Sequence, residues 1–533
     1  MCNGRTTKWL VLIVVAASLA GCRRIDHTPE IKAELRQIIQ AKPSPALRRD
    51  IAVPVWKDVA AFYHARDDKP AWIVDDDTSA ASQALEVLRS APAHGFAASD
   101  YGEPEISSRL VALTAAAPDD AARARQVAEI DARLTSALLS FGRDVSIGRK
   151  SPASSKNPAR VVPEFATTLA GATSDPQRWL DSVRPPHPEY VALETALISL
   201  LQQRDGEGWL PVPAGKFVAG GSGAAVAALR KRLAAGGHLR AEAASSAAPF
   251  SAEDEQAVKA FQGLHGLKAT GAVDGATLAA MNVPIDERIR QVALNLERWR
   301  AMPDDLGARH LFVNIPAFHL IARENGKPVL DIRVVVGKLT NKTPVFSSTM
   351  STIVFSPYWN IPDSIVEGET VPAMAKDPAY LARNNIEVLD ATNASPVDYS
   401  DVDWSDAGQR RRLAFRQKPG RGNALGFVKF LFPNQYDVYI HDTPADRLFS
   451  RVSRALSHGC VRLEQPEALA RYVLRDDPAW DDESILEAMN AGVEKHVRLR
   501  EPIPVHLVYF TAWVENGGLH FQPDVYGYDK VPR

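Results

Sequence analysis

Cysteine is scarce in this chain, with three in 533 residues. Cys2 lies in a segment that reads as a removable leader, and Cys22 closes the run Leu19-Ala20-Gly21-Cys22. That leaves Cys460 as the one thiol expected to stay free, and it excludes an intramolecular disulfide framework. An excess of one charge is also missing. The formal charge is −2, and −4 once residues 1–21, which carry Arg5 and Lys8 and no acid, are removed. A protein built to neutralise phosphates would show a basic excess or a basic face, so no nucleic-acid partner is expected. The apolar stretch at residues 9–17 is shorter than the ~20 residues a spanning helix needs. No low-complexity tract interrupts the chain, because the 37 prolines and 32 glycines are scattered as punctuation. At ~100–200 residues per domain, the length allows three or four ordered domains.

What is present begins with an export signal. Arg5 and Lys8 form the charged region, an apolar stretch follows, and small residues precede Cys22. This order resembles a bacterial lipoprotein signal (residues 1–21), which implies cleavage before Cys22 and lipid on that thiol. A plain secretory signal or an uncleaved anchor is the alternative. Residues 22–49, with Pro43 and Pro45 near their end, read as a tether.

Residues 50–205 are mostly helical in pattern: Val127, Ile130, Leu134, Leu138 and Leu139 recur at three- and four-residue steps. With Phe62-Tyr63, Ala71-Trp72 and Asp100-Tyr101 as signposts, the segment resembles the helical scaffold domain of large L,D-transpeptidases. Residues 216–284 carry two further helical faces, Val226, Leu229 and Leu233, then Val258, Phe261, Leu264 and Leu267. Together with Gly266, Gly271, Asp274 and Thr277-Leu278 they resemble the small three-helix peptidoglycan-binding domain; a helical spacer without carbohydrate affinity is the other reading.

Residues 285–306 read as a connecting helix, with Ile289, Val292, Leu296 and Trp299 on one face. The period then changes. Residues 311–315, 319–322 and 329–336 read as strands around the Asn325-Gly326 hairpin signal, and extended runs return at 437–440, 505–513 and 519–522. The C-terminal domain, 307–533, is therefore β-rich, and the whole chain is a multidomain α+β protein. A long polar insertion at about 363–420 reads as a lid, with a surface decoration as the plainer alternative.

Cys460 sits in Ser457-His458-Gly459-Cys460-Val461-Arg462, downstream of His441-Asp442-Thr443-Pro444. A thiol of pKa ~8.5 is mostly protonated near neutrality, so a nucleophile needs a base or a positive neighbour. His441, at the end of an expected strand, is the candidate. Gly459 permits a sharp turn that brings backbone N–H groups towards a reacting carbonyl. A zinc site from His441, His458 and Cys460 lacks a fourth ligand and any Cys-x-x-Cys spacing.

His441, fifteen intervening residues and Ser-His-Gly-Cys resemble the signature of the L,D-transpeptidase catalytic domain (YkuD type). Arg462 stands where many smaller relatives carry asparagine. With Tyr439 and the Phe355-Ser356-Pro357-Tyr358-Trp359-Asn360-Ile361-Pro362 segment, it is similar to the large multidomain YcbB-like subgroup. The resemblance implies Cys460 as acylated nucleophile and His441 as base or ion-pair partner. It implies that His458 and Gly459 shape the loop, and that Tyr439, Trp359, Ser457 and Arg462 lie on the substrate side. It also implies an enzyme that forms 3–3 crosslinks between peptidoglycan stem peptides, with no metal or organic cofactor. Its partners would be stem peptides, glycan strands, a membrane reached through the N-terminal lipid, and candidate cell-wall synthesis proteins. The place would be the periplasm, with Arg23 after Cys22 favouring the outer membrane. Water or a protein amine as acceptor would give a carboxypeptidase or a wall-to-lipoprotein ligase, and a non-catalytic wall-binding scaffold remains a separate class.

Overall fold

The computed structural model describes residues 28–41, 55–115, 120–149, 164–206, 209–245, 248–400 and 402–530. Cys22 and the expected signal lie outside them. Among the described residues no helix is long and apolar enough to cross a membrane. The chain divides into two compact units.

The first unit, built from described residues within 1–89, 98–142 and 163–182, is helical. Its helix Thr28–Gln40 falls inside the stretch read from sequence as tether. Ile31 and Leu35, four residues apart on one helical face, are buried, and Lys32 and Arg36 pair with Asp67 and Asp68. At the centre, the fully buried Asp131 accepts from Tyr63 Oη at 2.7 Å and from the backbone N–H groups of Ala71, Trp72 and Ile73. Four donors on one carboxylate staple the unit together.

The second unit holds residues 90–97, 143–162 and 183–533, described in part as above. Helix Pro188–Arg204, counted with the scaffold from sequence, packs here: Tyr190, Leu193 and Leu197 meet Val292, Leu296 and Trp299 of helix Ile285–Arg300. The three-helix module has its own core of Val226, Leu229, Leu233, Val258 and Phe261. Its helix Ala252–Leu264 starts at a capping box, in which Ser251 accepts from the Asp254 N–H while the Asp254 carboxylate accepts from the Ser251 N–H.

The β-rich domain begins with β1 Arg309–Asn314, β2 His319–Glu324, β3 Lys327–Gly337 and β4 Phe346–Phe355. Just before the insertion comes β5 Trp359–Ile361, and the insertion contributes β6 Ile386–Asp390 and β7 Leu413–Gln417. After it come β8 Val428–Leu431, β9 Ile440–His441, β10 Ala455–Ser457, β11 Val461–Leu463 and β12 Lys495–Val508. Nine of these form one sheet in the order β10-β3-β11-β9-β8-β4-β12-β1-β2, and β2 also pairs with β3, so the sheet closes on itself. Leu311, Val313, Ile353, Phe355, Phe430, Ile440 and Val461 fill the interior. The run expected over 437–440 begins later because Asp437 has φ 54°, outside the strand region. The run expected over 505–513 is two strands, β12 and β13 (Ala512–Glu515), and β13 pairs with β14 (Gly518–Phe521).

The insertion is folded: its strands β6 and β7 join β5 in a separate sheet in the order β5-β7-β6. This sheet encloses a core of Ile361, Val366, Met374, Leu381, Val388 and Phe415. The result is a small folded cap with an interior of its own.

Candidate active site

Pleating decides which side chains meet. Residues alternate faces along a strand, so register partners share a face. Val461 is opposite Ile440 and both are fully buried in the interior. The neighbours of each therefore face the other way. His441 is opposite Arg462 on β11 and opposite Lys429 on β8; Lys429 faces Val354 on β4, and Arg462 faces Val335 on β3. One row across the outer face thus reads Val354, Lys429, His441, Arg462, Val335. Cys460 and Tyr439, each two residues earlier in the chain than Arg462 and His441, stand in the adjacent row. The rings of Tyr439 and His441 are 5.6 Å apart.

The Cys460 thiol donates to the Asp437 carbonyl at 3.9 Å. Burial pushes the thiol above its ordinary pKa, and the neighbouring Tyr439 and the Arg462 charge oppose that push. Burial also drives His441 down, to about 3, and the nearby Arg462 and Lys429 cations act in the same direction. Thiol and imidazole are therefore both neutral near pH 7. His441 Nδ1 lies 2.5 Å from the Asp442 carbonyl oxygen. A carbonyl can only accept, so Nδ1 carries the proton and Nε2 keeps its lone pair. Arg462 reaches the site with its own pKa lowered by burial, and its guanidinium Nε has no hydrogen-bond partner among the described residues.

A short network fixes the turn before the thiol. Ser457 Oγ donates to the Cys460 carbonyl at 2.6 Å and accepts from the Gly459 N–H at 3.1 Å. Thr343 Oγ1 donates to the Gly459 carbonyl at 2.7 Å, and Thr343 is held in turn by Gly337 N and Tyr526 Oη. Gly459 sits at φ +125°, where a side chain is strained. Its own N–H is occupied by Ser457 Oγ.

The sequence candidates separate into two groups. Tyr439, His441, Cys460 and Arg462 share one face, with Ser457 and Gly459 supporting the turn. His458 points elsewhere: its Nε2 lies 2.7 Å from Glu369 Oε1, on the π-helical turn Val366–Thr370 of the cap. Trp359 lies on β5 and packs against the cap core. Sequence reasoning does not select Thr343 or Glu369. The placement of Lys429 beside His441 depends on strand pairing. Glu369 is the cap's contact with the nucleophile turn, and its charge acts on Arg462 as well.

Three family profiles match parts of the chain: an L,D-transpeptidase catalytic domain over residues 308–480, a scaffold domain over 57–197, and a "putative peptidoglycan binding domain" over 222–281. A curated "putative L,D-transpeptidase" from Haemophilus influenzae is 36% identical over 241 residues, which is 45% of this chain and 48% of that protein. The alignment thus spans about half the length of that relative. More distant likenesses are to solved L,D-transpeptidases from three bacteria. For Mycobacterium smegmatis the identity is 14%, over 37% of this chain and 58% of that one, at TM-score 0.18. For Xylanimonas cellulosilytica it is 16%, over 56% and 99%, at 0.18. For Stackebrandtia nassauensis it is 15%, over 56% and 97%, at 0.21.

Proposed function

From a chain that carries an L,D-transpeptidase catalytic domain behind scaffold and peptidoglycan-binding domains, we propose a peptidoglycan L,D-transpeptidase that forms 3–3 crosslinks through a Cys460 thioester. The observation that carries the proposal is the shared sheet face, with the thiol between Tyr439 and Arg462 and His441 one register step away with Nε2 available. In the proposed first step the Cys460 sulfur attacks the carbonyl on the L-centre of diaminopimelate in a donor tetrapeptide stem. The thiol proton passes to His441 Nε2 and then to the departing amine, so the C–N bond to terminal D-alanine breaks as the C–S bond forms. In the second step the side-chain amine of another stem's diaminopimelate attacks the thioester. Its proton returns through His441 and the thiol is regenerated.

The test is mass spectrometry of products after incubation with tetrapeptide-bearing muropeptides. A crosslinked dimer, lighter than two donors by one D-alanine, is expected. Release of D-alanine with tripeptide products alone would make water the acceptor and the protein a carboxypeptidase. Export and lipid attachment at Cys22 belong to the same proposal and are supported by the N-terminal sequence. Finding an unmodified N-terminus in protein purified from its own membranes would eliminate that part alone.

A further inference from the structure

Within the turn Ser457-His458-Gly459-Cys460, the side chain of His458 is the one that reaches the cap. Its two neighbours are pinned from the body of the domain: the Lys338 N–H donates to the Ser457 carbonyl at 2.9 Å, and Thr343 Oγ1 donates to the Gly459 carbonyl. His458 is approached by two charged groups, and both address the same atom. Glu369 Oε1 lies 2.7 Å from Nε2, and Lys338 Nζ lies 3.3 Å from it. A carboxylate only accepts and an ammonium only donates, while Nε2 holds either a proton or a lone pair, so it can bond one of them and not both. The lengths decide between them. A separation of 2.7 Å is that of a charge-assisted bond, whereas 3.3 Å is beyond the usual range. Nε2 therefore carries the proton and donates to Glu369, and Lys338 stands ready for the neutral ring whose proton is on Nδ1.

The seat of Glu369 is built. It lies on a π-helical turn, a form often found at functional sites. Val366 and Thr370 of that turn are buried, and Glu367 accepts from Arg410 at 3.0 and 2.8 Å, while Arg410 also donates to the Trp404 carbonyl at 2.6 Å. The turn is thus fastened to the cap at Glu367 and to the nucleophile turn two residues later. The Glu369 and His458 side chains are 54% and 32% exposed, so their ion pair adds little to stability. Its consequence is geometric. Lys338 stands one residue beyond the β3–β10 pair Gly337–Ser457, on the same sheet edge as the turn. A ring bonded to Lys338 would fold back over that edge instead of reaching the cap. The peptide between His458 and Gly459 would rotate with it, because Gly459 has no Cβ to resist, and Cys460 is the next residue.

We infer that Glu369 is a positioning residue for the Cys460 nucleophile: from the cap it keeps the proton on His458 Nε2, denies that nitrogen to Lys338, and so holds the turn in the form that presents the thiol. For the purpose of the turn the inference rests on the acylation proposed above; for the state of His458 it rests on the contacts alone. The charge of Glu369 also reaches Arg462, so positioning has to be separated from electrostatics. Glutamine separates them. Its amide carbonyl can still accept from Nε2–H, and it carries no charge.

The experiment compares the full mature chain with its Glu369→Ala and Glu369→Gln variants, following acyl-enzyme formation by mass spectrometry over a range of tetrapeptide-bearing muropeptide concentrations. Glu369→Ala should lower the saturated acylation rate about tenfold or more, while the concentration at half-saturation changes less than about threefold. Glu369→Gln should keep the rate within about threefold of the parent. An equal loss in both variants would mean that the carboxylate acts by its charge, and a loss confined to half-saturation would make it a substrate contact. An unchanged rate beside a lowered melting temperature would leave it a structural role only. Each of these three results overturns the inference. A second measurement reads His458 without turnover, from ring nitrogen shifts of histidine-labelled protein at about pH 8.5, above the ordinary histidine range; the His458 signal is the one missing in His458→Gln. Nε2 should be protonated in the parent and in Glu369→Gln, and bare in Glu369→Ala, where Lys338 takes the bond. A bare Nε2 in the parent, or an Nε2–H that persists in Glu369→Ala, would likewise overturn the inference. A parent that forms no acyl-enzyme would count against the Cys460 thioester instead, and the nitrogen shifts would still decide the bond between Glu369 and His458.

Discussion

Replacing Gly459 by alanine isolates the backbone conformation that presents the thiol. A Cβ at Gly459 would meet nothing closer than the Lys342 and Asn341 carbonyl oxygens, at 3.9 and 4.0 Å. Steric overlap is therefore negligible and the penalty is torsional. Holding a non-glycine residue at φ +125° costs about 1–3 kcal/mol. The chain can escape that strain by rotating the peptide on either side, which would break the Gly459 N–H bond to Ser457 and the Thr343 bond to the Gly459 carbonyl. Either movement displaces Cys460 relative to His441, and a shift of about 1 Å in a reacting group can cost about 10²-fold in rate. Gly420 provides the control. It has φ +137°, a Cβ there would have no neighbour within 4 Å, and it lies where the cap rejoins the domain. Gly420→Ala carries a similar torsional penalty without touching the turn that holds the thiol. Muropeptide acylation followed by mass spectrometry, beside thermal melts of both variants, separates the effects: both should melt a few degrees lower at most, and only Gly459→Ala should lose acylation by about two orders of magnitude. Equal acylation rates in the two variants would refute the claim that this turn positions the nucleophile.

Cys460→Ala should abolish both acyl-enzyme and product while leaving the melting temperature near that of the parent; turnover in the folded variant would move the nucleophile elsewhere. His441→Ala should slow acylation by about 10²–10⁴-fold, and because burial holds His441 down at about 3, the parent's acylation profile should show no acid limb near pH 6.5. A limb at that pH would mean the imidazole titrates as an exposed one does. Stability should fall as the pH drops from about 6.5 towards 4, since His441 (about 3), His238 (about 4) and His506 (about 4) stay neutral in the fold while an unfolded histidine takes up a proton. Buried Asp131 and Asp442, whose pKa values are raised by burial, act in the opposite sense, so a melting temperature that rises over this interval would show that the carboxyls dominate and would refute the prediction.

Local pattern makes some of this architecture readable. The alternation through β1 to β3 and the Asn325-Gly326 turn announce a hairpin, and Cys460 with His441 stands out because a lone thiol in a glycine turn is rare in the chain. What stays hidden depends on distant partners. Lys429 enters the site only because β8 pairs with β9, and Thr343 only because the segment after β3 passes close to Gly459. The cap's apolar residues are spread among so many polar ones that residues 363–420 read only as a long polar insertion, yet Val388 and Phe415 converge with Ile361 once three strands pair. Helix Thr28–Gln40 escapes a sequence reading for a similar reason. Its stripe is narrow, with only Ile31 and Leu35 buried, and two ion pairs supply the rest of its attachment.

The electrostatics of the site argue for how the proposed proton transfer would be timed. Arg462 favours a thiolate at Cys460 and, through the same charge, disfavours an imidazolium at His441; Lys429 adds to the second effect. A resting thiolate–imidazolium pair would therefore hold its anion well and its cation badly. Burial disfavours both charged forms, so the neutral pair is the resting state. In that arrangement His441 would serve best as a general base that accepts the proton while the C–S bond forms, when negative charge is already passing to the substrate carbonyl. The proton would then be held only briefly before it moves to the departing amine. The same two cations that make His441 a poor place to store a proton make it a ready donor to that leaving group.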